Sequence, residues 1–215
     1  MSDLEIVPLP NGQFVQNCYL IGDRARREAV MVDPGEEPEV FLAELDTRAW
    51  TLGAVWLTHA HLDHIMGVAE VKAATGVPVF LHPADRQLYD SLPGQGEWMG
   101  LRLEPPPPPD AELRSGQILR VGGFEFEVRH TPGHSPGSVS FVGHGAVFGG
   151  DVIFNGSIGR TDLPGGDFAT LMGSIQREFL VLPDSTAIHS GHGPETTVGV
   201  ERMTNPFLTG AYRVE

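Results

Sequence analysis

Thr58-His59-Ala60-His61-Leu62-Asp63-His64-Ile65-Met66-Gly67 follows directly on the apolar run Ala54-Val55-Trp56-Leu57. Three imidazoles and one carboxylate fall within the six positions from His59 to His64. These side chains bind borderline divalent metals at neutral pH, and a soluble surface seldom concentrates them so densely. The apolar run reads as a buried strand. The chain is therefore expected to leave a strand end straight into half of a metal site, with the other half supplied from elsewhere.

Upstream, residues 4 to 9 and 13 to 21 read as strands joined across Asn11-Gly12, a dipeptide that accepts the positive φ of a tight turn. Residues 28 to 33 give a third strand, stopped at Asp33-Pro34-Gly35. Residues 36 to 45 then predict an amphipathic helix with Val40, Phe41, Leu45 and Leu42 inward. Downstream, residues 64 to 75 predict a helix, 76 to 81 a strand and 83 to 89 a short helix, which is the βαβ rhythm. Gly94, Gly96 and Gly100 followed by five prolines at 105 to 109 make residues 93 to 109 a long surface loop. Residues 117–121 with 124–130, and 139–142 with 146–148, read as hairpins. Phe168, Leu171, Ile175 and Phe179 recur at helical spacing behind Asp167 as cap, 186 to 189 is a short strand, and 201 to 207 a closing helical turn. Two half-chains of strands with helices outside predict two sheets packed face to face between helical layers, in one domain spanning residues 1 to 215.

Three later segments each place one donor after a strand and among glycines: Thr131-Pro132-Gly133-His134, Gly149-Gly150-Asp151 and Ser190-Gly191-His192-Gly193. Glycine permits close backbone approach there. With the first cluster they make five histidines and two aspartates. That is more than one four- or five-coordinate ion needs, and it suits two ions sharing a carboxylate. His82, His130, His144 and His189 carry no motif and read as ordinary polar or core histidines. Cys18, in the strand-like Asn17-Cys18-Tyr19-Leu20-Ile21, reads as a buried structural thiol.

His-x-His-x-Asp-His, then a Gly-flanked His, a Gly-Asp and a Ser-Gly-His-Gly, in this order, resemble the metallo-β-lactamase superfamily over nearly the whole chain. The resemblance implies an αββα sandwich with metals at one sheet edge: His59, His61 and His134 on one ion, Asp63, His64 and His192 on a second, and Asp151 bridging. The segment from Asp151 through Gly159-Arg160-Thr161-Asp162-Leu163-Pro164-Gly165-Gly166-Asp167 is similar to the glyoxalase II (hydroxyacylglutathione hydrolase) branch in its short bacterial form, as are Thr196-Thr197 and Thr204-Asn205-Pro206-Phe207. The longer members add a C-terminal helical domain that helps hold glutathione, and carry Lys and Tyr where Arg160 and Asp162 stand here.

The implied activity is hydrolysis of a small glutathione-linked thioester such as S-lactoylglutathione by hydroxide generated between two divalent ions: zinc, iron or manganese, with zinc foremost. Asp63 and Asp151 are the expected catalytic carboxylates, coordinating and orienting, and Arg160 is the expected partner of a substrate carboxylate. The alternative is a persulfide dioxygenase, similar in its Gly-Arg-Thr-Asp stretch, with a single iron on His59, His134 and Asp151. A lactonase, another superfamily hydrolase and a non-catalytic metal-binding module complete the alternatives.

Charge and composition narrow the partners. Fourteen basic against 28 acidic residues leave a formal charge of -14 with no basic run, which argues against nucleic acid. The first residues lack the basic start and apolar core of a signal peptide, and no run approaches membrane-spanning length, so a cytoplasmic location without membrane contact is expected. A single cysteine excludes an intrachain disulfide.

Overall fold

In the computed structural model, which describes residues 3–211, alternating apolar positions build two six-stranded sheets. The first half supplies β1 (Leu4–Asn11), β2 (Gln16–Asp23), β3 (Glu28–Val32), α1 (Pro38–Arg48), β4 (Thr51–Trp56), α2 (Leu62–Ile65), α3 (Val68–Thr75), β5 (Val79–Leu81), α4 (Arg86–Asp90), α5 (Leu92–Trp98) and β6 (Ala111–Glu112). The second half supplies β7 (Ile118–Val121), β8 (Phe124–His130), β9 (Val139–Gly143), β10 (Ala146–Gly150), β11 (Ile153–Phe154), β12 (Ser157–Ile158), α6 (Phe168–Ser174), β13 (Ala187–Ser190), β14 (Thr196–Thr197) and α7 (Val198–Thr204).

One sheet runs β1-β2-β3-β4-β5-β6, the other β14-β13-β10-β9-β8-β7. Both are mixed: β3 to β6 pair in parallel after an antiparallel start, and β10 pairs in parallel with β13 but antiparallel with β9. The core divides as the layers require. Tyr19, Ile21, Val32 and Trp56 meet Phe126, Val128, Phe141 and Phe148 between the sheets. Cys18, Leu20, Val55 and Leu57 face Phe41, Leu45, Val68 and Val71 under the first helical layer. Val147 and Ile188 face Leu171, Ile175 and Phe179 under the second. The expected αββα sandwich is thus observed, and Cys18 lies buried within it with its thiol pushed up by burial. Among the described residues no helix is long and apolar enough to cross a membrane.

Several local expectations need correction. Asn11 pairs with Gln16, so the first turn occupies residues 12–15, where Gln13 N donates to the Glu36 carboxylate. Helix α1 starts at Pro38, which shifts its buried face to Pro38, Phe41 and Leu45 and leaves Val40 45% exposed. The single helix expected over 64–75 breaks at Met66-Gly67, because Gly67 N donates out of the helix to Pro34 O. The expected loop over 93–109 begins with a helix. Pro93 sits in the first turn of α5, and Gly96 admits Leu103, whose Cγ lies 2.9 Å from where a Cβ would stand. Only 99–109 is irregular, tied down by Tyr89 Oη to Pro107 O (2.8 Å) and Lys72 Nζ to Asp110 (2.7 Å). In α6 the first turn is exposed, Phe168 with it, while Leu171 is buried as expected; the chain continues past Ser174 as a π-helical turn over Ile175–Phe179, in which Ile175 and Phe179 are buried as expected. Asp167 caps that helix, accepting from Thr170 N at 2.7 Å. The last helix starts at Val198, earlier than expected, because the Thr197 hydroxyl accepts from Val200 N.

Candidate metal centre

Every donor sits just beyond a strand end, and all of these ends point to one edge of the sandwich. β4 delivers His59, His61, Asp63 and His64; β8 delivers His134; β10 delivers Asp151; and β13 delivers His192. The structure brings together all seven residues singled out in the sequence. Donor atoms of His59, His61 and His134 lie within 4.8 Å of one another, and so do those of Asp63, His64 and His192. Asp151 stands between the groups: Oδ2 is 3.5 Å from His134 Nε2 and 3.6 Å from His192 Nε2, and Oδ1 is 3.4 Å from His64 Nε2.

Acceptors behind the rings determine which nitrogen each histidine offers. His134 Nδ1 donates to Arg160 O (2.7 Å), and His192 Nδ1 to Phe14 O (3.2 Å); a carbonyl can only accept. His64 Nδ1 donates to Asp33 Oδ2 (2.9 Å). The Thr58 hydroxyl donates to the same Asp33 oxygen (2.5 Å), which leaves it to accept from His59 Nδ1 (3.1 Å). Four histidines therefore turn Nε2 inward, and His61 turns Nδ1, 2.7 Å from His134 Nε2. His64 Nε2 and Asp151 Oδ1 are buried without any hydrogen-bond partner. Ring nitrogens turned inward, four of the five rings held from behind by a carbonyl, carboxylate or hydroxyl, form the donor arrangement of a metal site. The residues present fit divalent ions.

The electrostatics agree. Burial, then His64 and His134, hold His59 well below the ordinary histidine value, and burial with His134 lowers His61 to about 3, so both rings are neutral. Burial disfavours a charged His64, yet Asp63, Asp151 and Asp33 outweigh it and push it well up. Burial likewise opposes charge on His192, and Asp63 at 3.1 Å together with Asp151 raises it. Burial would raise Asp151, but His64, His134 and His192 hold it well below the carboxylate range. The pocket thus stabilises anionic carboxylates and positive charge at the second group, whether proton or metal ion.

Two supporting acids were not legible in the sequence. Asp33, at positive φ (53°) after β3, binds Thr58 N (2.7 Å), the Thr58 hydroxyl and His64. Asp85 accepts from Ala60 N (3.0 Å), Ser135 Oγ (2.7 Å) and Gly137 N (2.6 Å), joining the two loops that carry His59, His61 and His134. The one available signal for Asp33 was its place at a strand end before Pro-Gly. Asp85 had none. Glycine is required at Gly191, where a Cβ would stand 2.1 Å from Asp151 Oδ1. His82, His130, His144 and His189 stay outside the cluster; His82 stacks on His130 with centroids 4.2 Å apart.

A cleft of about 690 Å³ opens over His61, Asp63, His134, Asp151 and His192. Arg160 is on its rim, but its guanidinium already forms a bidentate pair with Asp162 (2.7 and 2.8 Å), both side chains exposed. What Arg160 gives the centre directly is its backbone carbonyl, behind His134.

A family model described as the metallo-beta-lactamase superfamily matches residues 11–192. The hydroxyacylglutathione hydrolase GloC of Haemophilus influenzae is 40% identical, over 96% of this chain and 98% of that protein. Among solved structures, the B3 metallo-beta-lactamase BLEG-1 superposes with a TM-score of 0.90 at 42% identity, covering 96% of this chain and 100% of that one. TTHA1623 in a di-iron-bound form superposes with a TM-score of 0.86 at 43% identity, covering 94% of this chain and 100% of the other.

Proposed function

The chain belongs to the metallo-beta-lactamase superfamily, and on that premise we propose that it is a metal-dependent hydrolase of small thioesters. His59, His61 and His134 would hold one divalent ion and Asp63, His64 and His192 a second, with the Asp151 carboxylate within reach of both groups. One observation carries the reading: five histidines each aim one ring nitrogen at one centre, four of them held through Nδ1, beside the unpartnered Asp151 Oδ1. The hydroxyacylglutathione hydrolase relative points to the thioester, and the di-iron neighbour to a two-ion centre.

Divalent ions bound there supply Lewis acidity, bringing the pKa of water from 15.7 to about 7. Asp63 and Asp151 are kept anionic by the neighbouring histidines and act by binding and orienting. Asp33, Phe14 O and Arg160 O keep the protons of His64, His192 and His134 on the outer nitrogen, so the inner one stays free to bind. Water adds to the thioester carbonyl carbon, the C–S bond breaks, and acid and thiol are released. A thiolate leaves without a strong general acid, which agrees with a cleft that, among the described residues, is lined by no lysine or tyrosine.

The test is metal analysis after loading with zinc, iron or manganese, paired with S-lactoylglutathione hydrolysis and oxygen uptake with glutathione persulfide. About two ions per chain and thioester hydrolysis are expected. A single tightly held iron, or oxygen uptake without hydrolysis, overturns the proposal in favour of the mononuclear oxygenase.

A further inference from the structure

Outside the donor set, the walls of the cleft are mainly apolar, with Ser91, Gln95, Ser157 and Arg160 as the polar side chains among the described lining residues. Trp98 and Met99 at the end of α5, Leu88, Phe154, Leu163 and Pro164 all line it. Trp98 is 78% exposed and Met99 52%, whereas the other two tryptophans, Trp50 and Trp56, are buried. Large apolar side chains left in water beside a reactive centre are where an apolar ligand gains most from burial.

Their position is held relative to the centre. Gln95, one helical turn before Trp98 and Met99, donates to Ala60 O (3.0 Å) and Leu88 O (2.9 Å) and accepts from Leu62 N (3.0 Å). It therefore joins α5 to the loop that carries His59 and His61. Charge selects further. Among the described residues that line the cleft, Arg160 is the sole arginine or lysine, and Asp162 already occupies its fork. The whole chain carries a formal charge of -14. Little in the cleft offers a free cation to the carboxylates of a glutathione conjugate.

We propose that the cleft selects uncharged thioesters bearing an extended apolar arm, which lies along Trp98 and Met99 while the reacting carbonyl sits over the histidines and aspartates. This rests on the hydrolase reading for the reaction but not for binding. The arm belongs either to the acyl group or to the thiol, and the two are separable by experiment.

Binding is read first, on metal-free protein, by titration calorimetry and Trp98 emission with two non-hydrolysable thioethers, S-octyl- and S-methyl-N-acetylcysteamine. Burial favours association about fourfold per methylene fully covered. The octyl compound is expected to bind at least about tenfold more tightly and to shift the emission to the blue, and Trp98→Ala to abolish that difference while leaving the melting temperature unchanged. On loaded enzyme, kcat/KM is expected to rise with chain length in one of two series: acyl groups on a fixed neutral thiol, or thiols on a fixed acetyl group. S-octylglutathione should bind less tightly than its uncharged counterpart. Equal affinity for the methyl and octyl thioethers, or tighter binding of the glutathione form, overturns the proposal. So does a dimer that Trp98→Ala converts to monomer, since the face then belongs to a second copy. Failure of hydrolysis with preserved octyl binding overturns the hydrolase reading alone.

Discussion

Replacing Asp85 tests whether the first donor group is held together from behind. The side chain is fully buried, and its carboxylate has no cation partner among the contacts described; it accepts from two backbone N–H groups, Ala60 and Gly137, and from Ser135 Oγ. In Asp85→Ala, Ser135 keeps Ser138 Oγ at 2.8 Å, but both N–H groups lose their acceptor in a dry interior. Each such loss costs about 1–3 kcal/mol, so Asp85→Ala is expected to cost about 3–5 kcal/mol, at the upper end for a point substitution. Asp85→Asn keeps the shape and loses least with its oxygen on the Ala60 and Ser135 side, turning an NH2 towards Gly137 N; about 1–3 kcal/mol follows. Urea unfolding of metal-free protein reads both values as a lower midpoint at unchanged slope. Metal affinity at His59, His61 and His134 should also fall, by about 10–100-fold. An Asp85→Ala protein that unfolds at the wild-type midpoint and binds metal unchanged would refute this account.

Asp33→Ala frees His64 Nδ1 and, by releasing the Thr58 hydroxyl, loosens the hold on His59 Nδ1, so metal affinity should fall by about 10–100-fold, measured by competition with a chelating dye; wild-type affinity counts against the assignment. Metal should raise the melting temperature, since a ligand at 100 times its Kd adds about 2.7 kcal/mol; a chelator that leaves the melting curve unmoved contradicts a site in the folded chain. Burial and the stacked His130 lower His82 from 6.5 to about 4. Between those values the unfolded chain binds more protons, so stability rises with pH across that window and is lost on acidification. His82→Gln should flatten this part of the urea-midpoint profile. Arg160→Ala removes only an exposed ion pair, so stability should change by less than about 1 kcal/mol.

Much of the fold followed from local pattern. The apolar pattern located β1 to β5, β7 to β10 and β13 to within a few residues but not the two-residue strands β6, β11, β12 and β14, and Asp167 capped its helix where expected. Errors fell where a distant contact overrode the local signal: Gly67 donating to Pro34 O split a helix, and Leu103 packing on Gly96 gave a helix in what reads as a glycine-rich loop.

For the centre, the sequence by itself named the candidate donors. Which side chains can bind a metal is a property of residue type, and their order along the chain was enough to relate His59 to His192. Only the tertiary structure decided which nitrogen each ring presents, that Asp33 and Asp85 stand behind them, that Asp162 holds the Arg160 fork, and that α5 lines the cleft. The physical reason is separation along the chain. Asp85 meets Ser135 across 50 positions, and His192 meets Phe14 across 178. Hydrogen bonds of that span leave no periodicity or spacing to read; they exist only once both sheets have packed and their strand ends share one edge.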